Sequence, residues 1–210
     1  MCIRDSTYRR LMAVATGQLG LLSRRQANGV GVTNAQLRSR VTSGSLLQVG
    51  TDTFRLPGAP SSALADLRAL MLDIGGEVWV SGPTAAALHG FDGYRLKPPF
   101  DVTIPRGRNV RRIGHRIHSA TSLDLIDRSV VDGIACTSGA RTLIDLARTE
   151  SVERLTVAFD AGLRDGRFNE SLVHRRIVAL RSSGRFGVPR LVSAIEGVEA
   201  IRRGQRWIDR

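Results

Sequence analysis

The strongest constraint on the fold is the order of short amphipathic segments between Tyr8 and Pro60. Tyr8 to about Ala15 places Leu11, Met12 and Ala15 on one helix face, and a second helix of little more than a turn runs from Arg24 to Asn28 behind Ser23 as N-cap. Gly29-Val30-Gly31-Val32 makes a glycine-bearing turn, and Thr33 caps a third helix from Asn34 to about Val41. In that helix Leu37 and Val41 face inward with Ala35 at the edge, leaving Asn34, Gln36, Arg38 and Arg40 mostly outside. Two short alternating strands follow, with Leu47 and Val49 on one face, Phe54 and Leu56 on the matching face, and Gly50-Thr51-Asp52 between them. Three helices around a glycine turn and then a hairpin is the order of a winged helix-turn-helix. Pro57-Gly58-Ala59-Pro60-Ser61 breaks the pattern, which sets the expected winged domain at residues 7–58 and a second domain at 59–210.

The charge distribution agrees with a polyanionic partner for the first block. The chain carries 31 basic and 19 acidic residues, a formal net charge of +12, and residues 1–58 hold eight of the basic side chains against two acidic ones. Basic side chains that neutralise phosphates release condensed counterions, so the excess favours nucleic acid. Thirty of the 31 cations are arginine, a ratio that GC-rich coding explains better than selection for phosphate contacts. With Lys97 as the one lysine, no Walker-type phosphate loop can form. The two cysteines, Cys2 and Cys136, give no disulfide framework, and no apolar run approaches the ~18 residues of a membrane span, so a cytoplasmic location is expected. Leu11 to Leu22 follows Arg9 and Arg10 as a signal peptide would, but Thr16, Gly17, Gln18 and Gly20 interrupt it. The first six residues, Met1-Cys2-Ile3-Arg4-Asp5-Ser6, read as a translated sequencing adapter and stand outside the fold argument.

The second domain reads as mixed α/β with a helical C-terminal part, making the whole chain α+β. A helix opens at Ser61 or Ser62 and runs through Leu64, Leu67, Leu70 and Met71 to Gly75. Val78-Trp79-Val80 is a buried strand, Ser81 caps a helix with Pro83 in its first turn and Gly90 past its end, and Phe100 to Pro105 alternates as a strand. Further strands are expected at Ile113–His118, Val130–Val131 and Ile134–Cys136, then helices at Ala140–Ala147, Val152–Leu163, Glu170–Arg181 and Pro189–Arg202.

The third helix is the sharpest functional signal: Asn and Gln can pair with adenine edges in the major groove, and Arg with guanine or phosphate. The candidate DNA contacts are Arg24, Arg25, Thr33, Asn34, Gln36, Arg38, Arg40 and Arg55, with Arg106, Arg108, Arg111 and Arg112 as a second backbone contact. Those last four, with Arg116, lie between Val102 and Leu123 in a stretch without an acid, which is equally the pattern of a solvated hairpin tip. His115 and His118 point to opposite faces of a strand and are not expected to share a metal, so no metal or cofactor is expected. His89 is expected to pack at the end of its helix, His174 to lie on a surface helix, and Trp79 and Phe91 to be core. Asp124, Asp127, Asp132 and Asp145 are scattered over different elements with nothing to orient them as an acid–base pair, and catalytic signatures are missing, so this chain is not expected to be an enzyme.

The segments Val80-Ser81-Gly82-Pro83-Thr84-Ala85-Ala86-Ala87-Leu88-His89-Gly90, Asp101-Val102-Thr103-Ile104-Pro105-Arg106-Gly107, Val131-Asp132-Gly133-Ile134 and Thr137-Ser138-Gly139-Ala140-Arg141-Thr142-Leu143-Ile144-Asp145-Leu146-Ala147 behind a winged domain resemble AbiEi-type antitoxins of type IV toxin–antitoxin systems. The resemblance runs from about residue 8 to 200 and is strongest between 79 and 147. It implies a transcriptional repressor that binds double-stranded DNA at its own promoter. It also implies a nucleotidyltransferase-like AbiEii toxin as functional partner, opposed without necessarily being touched. It implies no catalytic residue in the second domain. Many relatives continue into a Vsr-like endonuclease domain, and this chain stops at Trp207-Ile208-Asp209-Arg210, about where one would begin. The alternatives are therefore an N-terminal fragment of such a nuclease, or a protein-interaction module that binds no DNA.

Overall fold

The computed structural model describes residues 3–121, 123–181 and 187–208. Met1 and Cys2 of the adapter-like hexapeptide, and Asp209 and Arg210 at the other end, lie outside them. The chain is α+β and divides into two compact units between Gly76 and Glu77.

The first unit is built from α1 (Ile3–Thr16), β1 (Leu21–Ser23), α2 (Arg24–Gly29), α3 (Asn34–Thr42), β2 (Leu47–Gln48), β3 (Thr53–Arg55) and α4 (Ala63–Ile74). The three helices and the hairpin stand where periodicity puts them. The strand β1 was not expected. Its three residues are too few to alternate, yet it pairs antiparallel with β3, so the sheet has the order β1-β3-β2. The buried residues Leu11, Ala15, Leu22, Val32, Leu37 and Phe54 form the core beneath it.

The apolar face expected of the first hairpin strand is corrected in phase. Leu47 and Val49 are exposed, and the inward residue on that side of the hairpin is Leu46, one position earlier. The two-residue pairing of β2 with Arg55 and Phe54 fixes that phase, and a one-residue slip turns every side chain to the other face. Ala35 is also exposed, leaving Leu37 as the residue α3 buries outright.

The unit continues past the Pro57–Ser61 break because α4 packs on β1 and β3. The buried Asp73 of α4 accepts from the backbone N–H of Asp52 at 2.6 Å. A Cβ at Gly50 would sit 2.5 Å from the same carboxylate oxygen, so a larger residue there would have to push the Asp73 carboxylate aside. The expected second domain thus gives up its first helix to the first unit.

The second unit contains β4 (Trp79–Val80), α5 (Gly82–His89), β5 (Asp101–Pro105), β6 (Arg116–Ala120), a 3-10 turn (Leu125–Asp127), β7 (Arg128–Val131), β8 (Ile134–Thr137), α6 (Gly139–Leu146), α7 (Val152–Arg164), α8 (Glu170–Arg181) and α9 (Val188–Ile208). Its mixed sheet has the order β6-β5-β4-β8-β7. The pairs β4–β8 and β5–β6 are parallel, β4–β5 and β7–β8 antiparallel. Helices α6 to α9 share an apolar core with Phe91, in which Phe159 and Phe168 stack 5.9 Å apart. Trp79 and Phe91 are core residues, as their sequence context implies. Among the described residues, no helix is long and apolar enough to cross a membrane.

Candidate nucleic-acid interface

The α2–turn–α3 segment is held by two capping boxes. Ser23 Oγ accepts from the Gln26 N–H at 3.2 Å while Gln26 Oε1 accepts from the Ser23 N–H at 2.9 Å. Thr33 Oγ1 and Gln36 make the same exchange at the start of α3, at 3.2 and 2.8 Å. Gly31, at φ +91°, supplies the left-handed residue that lets the chain turn between the two helices. Val32 and Leu37 then anchor α3 in the core, and Asn34, Ala35, Gln36, Arg38, Ser39 and Thr42 are left facing solvent.

Within that face the candidate residues separate into committed and uncommitted groups. Arg38 and Arg25 are exposed and have no partner among the described residues. Gln36 is exposed but its Oε1 is occupied by the capping box, so reading an adenine with both amide atoms would cost that bond. Arg24 is turned inward: its Nε meets Asp52 Oδ1 at 2.6 Å, an Nη donates to the Thr51 carbonyl at 3.2 Å, and the guanidinium lies 5.3 Å from the Phe54 ring. The other Nη reaches Asn34 Oδ1 at 3.5 Å, tying the start of α3 to the hairpin. Arg40 is half-buried over the Tyr8 ring at 5.1 Å. Arg55 sits on the central strand β3 and faces Asp66 of α4 at 3.8 Å, away from the hairpin tip. The group that remains outward is thus Arg25, Thr33, Asn34, Gln36 and Arg38. It belongs to a run from Ser6 to Thr51 that carries six arginines and no carboxylate.

In the second unit the arginine segment is not a hairpin tip. Because β5 and β6 run parallel, residues 106–115 must travel back along the strands, which spreads the arginines out. Arg106 and Arg111 are exposed, Arg108 donates to the Glu77 carbonyl at 2.8 Å, and Arg112 donates to the Arg111 carbonyl at 3.0 Å. The histidines part company. His115 precedes β6, stacks on Phe100 at 5.3 Å and accepts the Phe100 N–H on Nδ1 at 3.2 Å, while His118 Nε2 meets Asp101 Oδ1 at 3.0 Å. Asp101 is buried and also receives Arg116 at 3.4 Å. His174 is exposed, 4.0 Å from Glu199.

Sequence reading missed one constellation. Asp124, Asp127 and Asp145, set aside as scattered, converge on Arg141 and Arg176. Asp127, 1% exposed, accepts from Arg141 at 2.8 Å and from Arg176 at 2.6 and 2.9 Å, while Asp145 takes a second bond from Arg141 and Asp124 one from Arg176. Burial disfavours the charged Arg176, but its bonds to Asp127 and Asp124 outweigh that and hold its pKa above the usual range. Asp127 is enclosed by two guanidinium groups, and the cluster joins the turn before β7 to α6 and α8. The ring of His89 is also buried. Its Nε2 donates to the Thr137 carbonyl at 2.7 Å, and its Nδ1 has no partner among the described residues. Burial lowers the His89 pKa and raises that of the neighbouring Cys136 thiol to about 11, so both stay neutral.

No protein-family model matches the chain, and no curated protein matches it. Among solved structures, the crystal structure of the RV2827C protein from Mycobacterium tuberculosis is similar in fold, with a TM-score of 0.59 and 14% identity over 90% of this chain and 77% of that one. At that identity the likeness concerns architecture alone.

Proposed function

We propose that the chain is a sequence-selective, double-stranded DNA-binding regulator whose first unit is a winged helix-turn-helix. The observation that carries the reading is the exposed face of α3, with Asn34 and Arg38 outward, Arg25 exposed on α2, and no carboxylate from Ser6 to Thr51. In this reading α3 lies in the major groove, where Asn34 and Arg38 meet base edges or phosphates, and Arg25 grips the backbone. Arg106 and Arg111 of the second unit add sequence-independent contacts. Arg24, Arg40 and Arg55 serve to hold the reading helix and hairpin rather than to touch DNA. Following the resemblance to AbiEi-type proteins, the target is the chain's own promoter and the role that of a cytoplasmic repressor and type IV antitoxin, with a nucleotidyltransferase-like toxin as functional partner. No catalytic step is assigned to any residue.

Fluorescence anisotropy of a labelled promoter duplex over a salt series tests this. Neutralising four phosphates with Arg25, Arg38, Arg106 and Arg111 gives a log–log slope of about −3.6, at ~0.9 per phosphate, and Arg38→Ala makes it shallower by about 0.9. A flat salt response, or equal affinity for unrelated duplex, refutes the proposal.

A further inference from the structure

The two amides at the head of α3 are already half spent. The side-chain oxygen of Gln36 accepts the Thr33 N–H at 2.8 Å, and that of Asn34 accepts an Nη of Arg24 at 3.5 Å. A backbone N–H and a guanidinium can only donate, so each amide must turn its oxygen toward them, and its NH2 group is what remains outward. Arg24 is itself held, by Asp52 Oδ1 at 2.6 Å and the Thr51 carbonyl at 3.2 Å, which keeps the guanidinium beside Asn34. The exposed Arg38 on α3 and Arg25 on α2 offer donors alone. The exposed hydroxyls of Ser39 and Thr42 can act either way, and no carboxylate occurs from Ser6 to Thr51. The charged and amide side chains on this face therefore present hydrogen-bond donors and no dedicated acceptor.

Such a face is complementary to one base above the others. In the major groove guanine presents two adjacent acceptors, N7 and O6, whereas adenine sets an amino donor beside its N7, cytosine presents an amino donor, and thymine a single acceptor beside a methyl group. A donor pressed against an amino group leaves both unpaired once water is excluded. Building on the proposed DNA-binding role of α3, on which this step rests, we infer that α3 selects guanine and that Arg24 is a positioning residue for that choice. Arg38 takes N7 and O6 as a fork, and the NH2 groups of Asn34 and Gln36 each add one bond to an acceptor of a neighbouring base. The two-bond pair that a free Asn or Gln makes with adenine needs both amide atoms, and here it would break the bond to Arg24 or to Thr33.

The test is selection of the full chain on a library of random duplexes, followed by anisotropy on the enriched sequence with modified bases. Guanines are expected at the selected positions. Replacing them with 7-deazaguanine, which lacks the N7 acceptor, is expected to weaken binding by about fivefold or more. Replacing adenines with 2-aminopurine, which takes the amino group out of the major groove, is expected to leave affinity unchanged. Arg24→Met releases the Asn34 amide to turn over, so a repeat selection is expected to admit adenine at one position where the wild type demands guanine, a change that mere loss of stability does not produce. The wild-type measurements need no variant and decide the matter even where Arg24→Met fails to fold. A selected, salt-dependent sequence that is indifferent to 7-deazaguanine, or that loses affinity with 2-aminopurine, overturns the guanine inference and leaves DNA binding standing. Failure to enrich any sequence, with a flat salt response, removes the DNA-binding reading and this inference with it.

Discussion

Gln36 occupies two roles that a single substitution separates. Its Oε1 closes the capping box on the Thr33 N–H at 2.8 Å, and its side chain is exposed on the face proposed to meet DNA. Gln36→Glu keeps the acceptor, since a carboxylate closes the same box, and places a negative charge at the positive end of α3, an effect of about 0.3–1 kcal/mol in favour of the fold. Gln36→Ala removes the acceptor and costs about 1 kcal/mol. Stability is therefore expected to stay level or rise slightly with Glu and to fall with Ala. Binding is expected to respond in a different order. A carboxylate ~7 Å from a phosphate in water is repelled by about 0.6 kcal/mol, so two flanking phosphates and the lost amide contact together weaken binding by about 1–2 kcal/mol, roughly 5- to 30-fold. The salt slope becomes shallower by about 0.9. Thermal unfolding and duplex anisotropy on the three proteins measure both axes. Wild-type affinity and slope for Gln36→Glu would refute the placement of α3 against the duplex, however stable the variant.

Two further outcomes follow from the second unit. Asp127→Asn leaves two buried guanidinium groups with their outer partners, Asp145 and Asp124, but without the shared central charge, so urea unfolding of this unit should lose about 2–4 kcal/mol; a loss under 1 kcal/mol would show the cluster to be dispensable. His89 has a folded-state pKa below its unfolded value near 6.5, because burial disfavours the imidazolium. The unfolded chain therefore takes up the proton first as pH falls, so the contribution is fully present above 6.5 and is lost as pH drops from there toward the folded pKa. Unfolding curves between pH 7.5 and 5 on the wild type and His89→Gln should differ in slope over that window, and parallel curves would contradict the assignment.

What was legible in the sequence was local. Ser23, Thr33, Ser62 and Ser138 cap their helices through side-chain hydrogen bonds because a hydroxyl within three residues of a free N–H needs no tertiary partner. Ser81 stands at an N-cap position, but its hydroxyl accepts instead from Thr103 at 2.9 Å across β4 and β5, which no local rule anticipates. The strand β1 was invisible because three residues have no period, and the Leu46–Leu47 phase because adjacent leucines satisfy either face. Parallel pairing of β5 with β6 could not be inferred from a loop that reads equally well as a hairpin. The Asp127 cluster joins residues 49 apart, beyond any spacing pattern. One missed feature was readable: Thr33-Asn34-Ala35-Gln36 fits the capping-box pattern, and recognising it would have assigned Gln36 a structural duty from the outset. Likewise, one-sided charge between Ser6 and Thr51 identified the basic region but not which guanidiniums point outward. Arg24, Arg40 and Arg55 find partners supplied by Asp52, Tyr8 and Asp66.

The bond from the backbone of the Gly50–Asp52 turn to Asp73 bears on how the first unit could be moved between proteins. A transplant cut at the proline break would carry the helices and the hairpin but leave behind the carboxylate against which the turn is seated. The portable module extends to Gly76, and a graft that respects that limit takes its own brace with it.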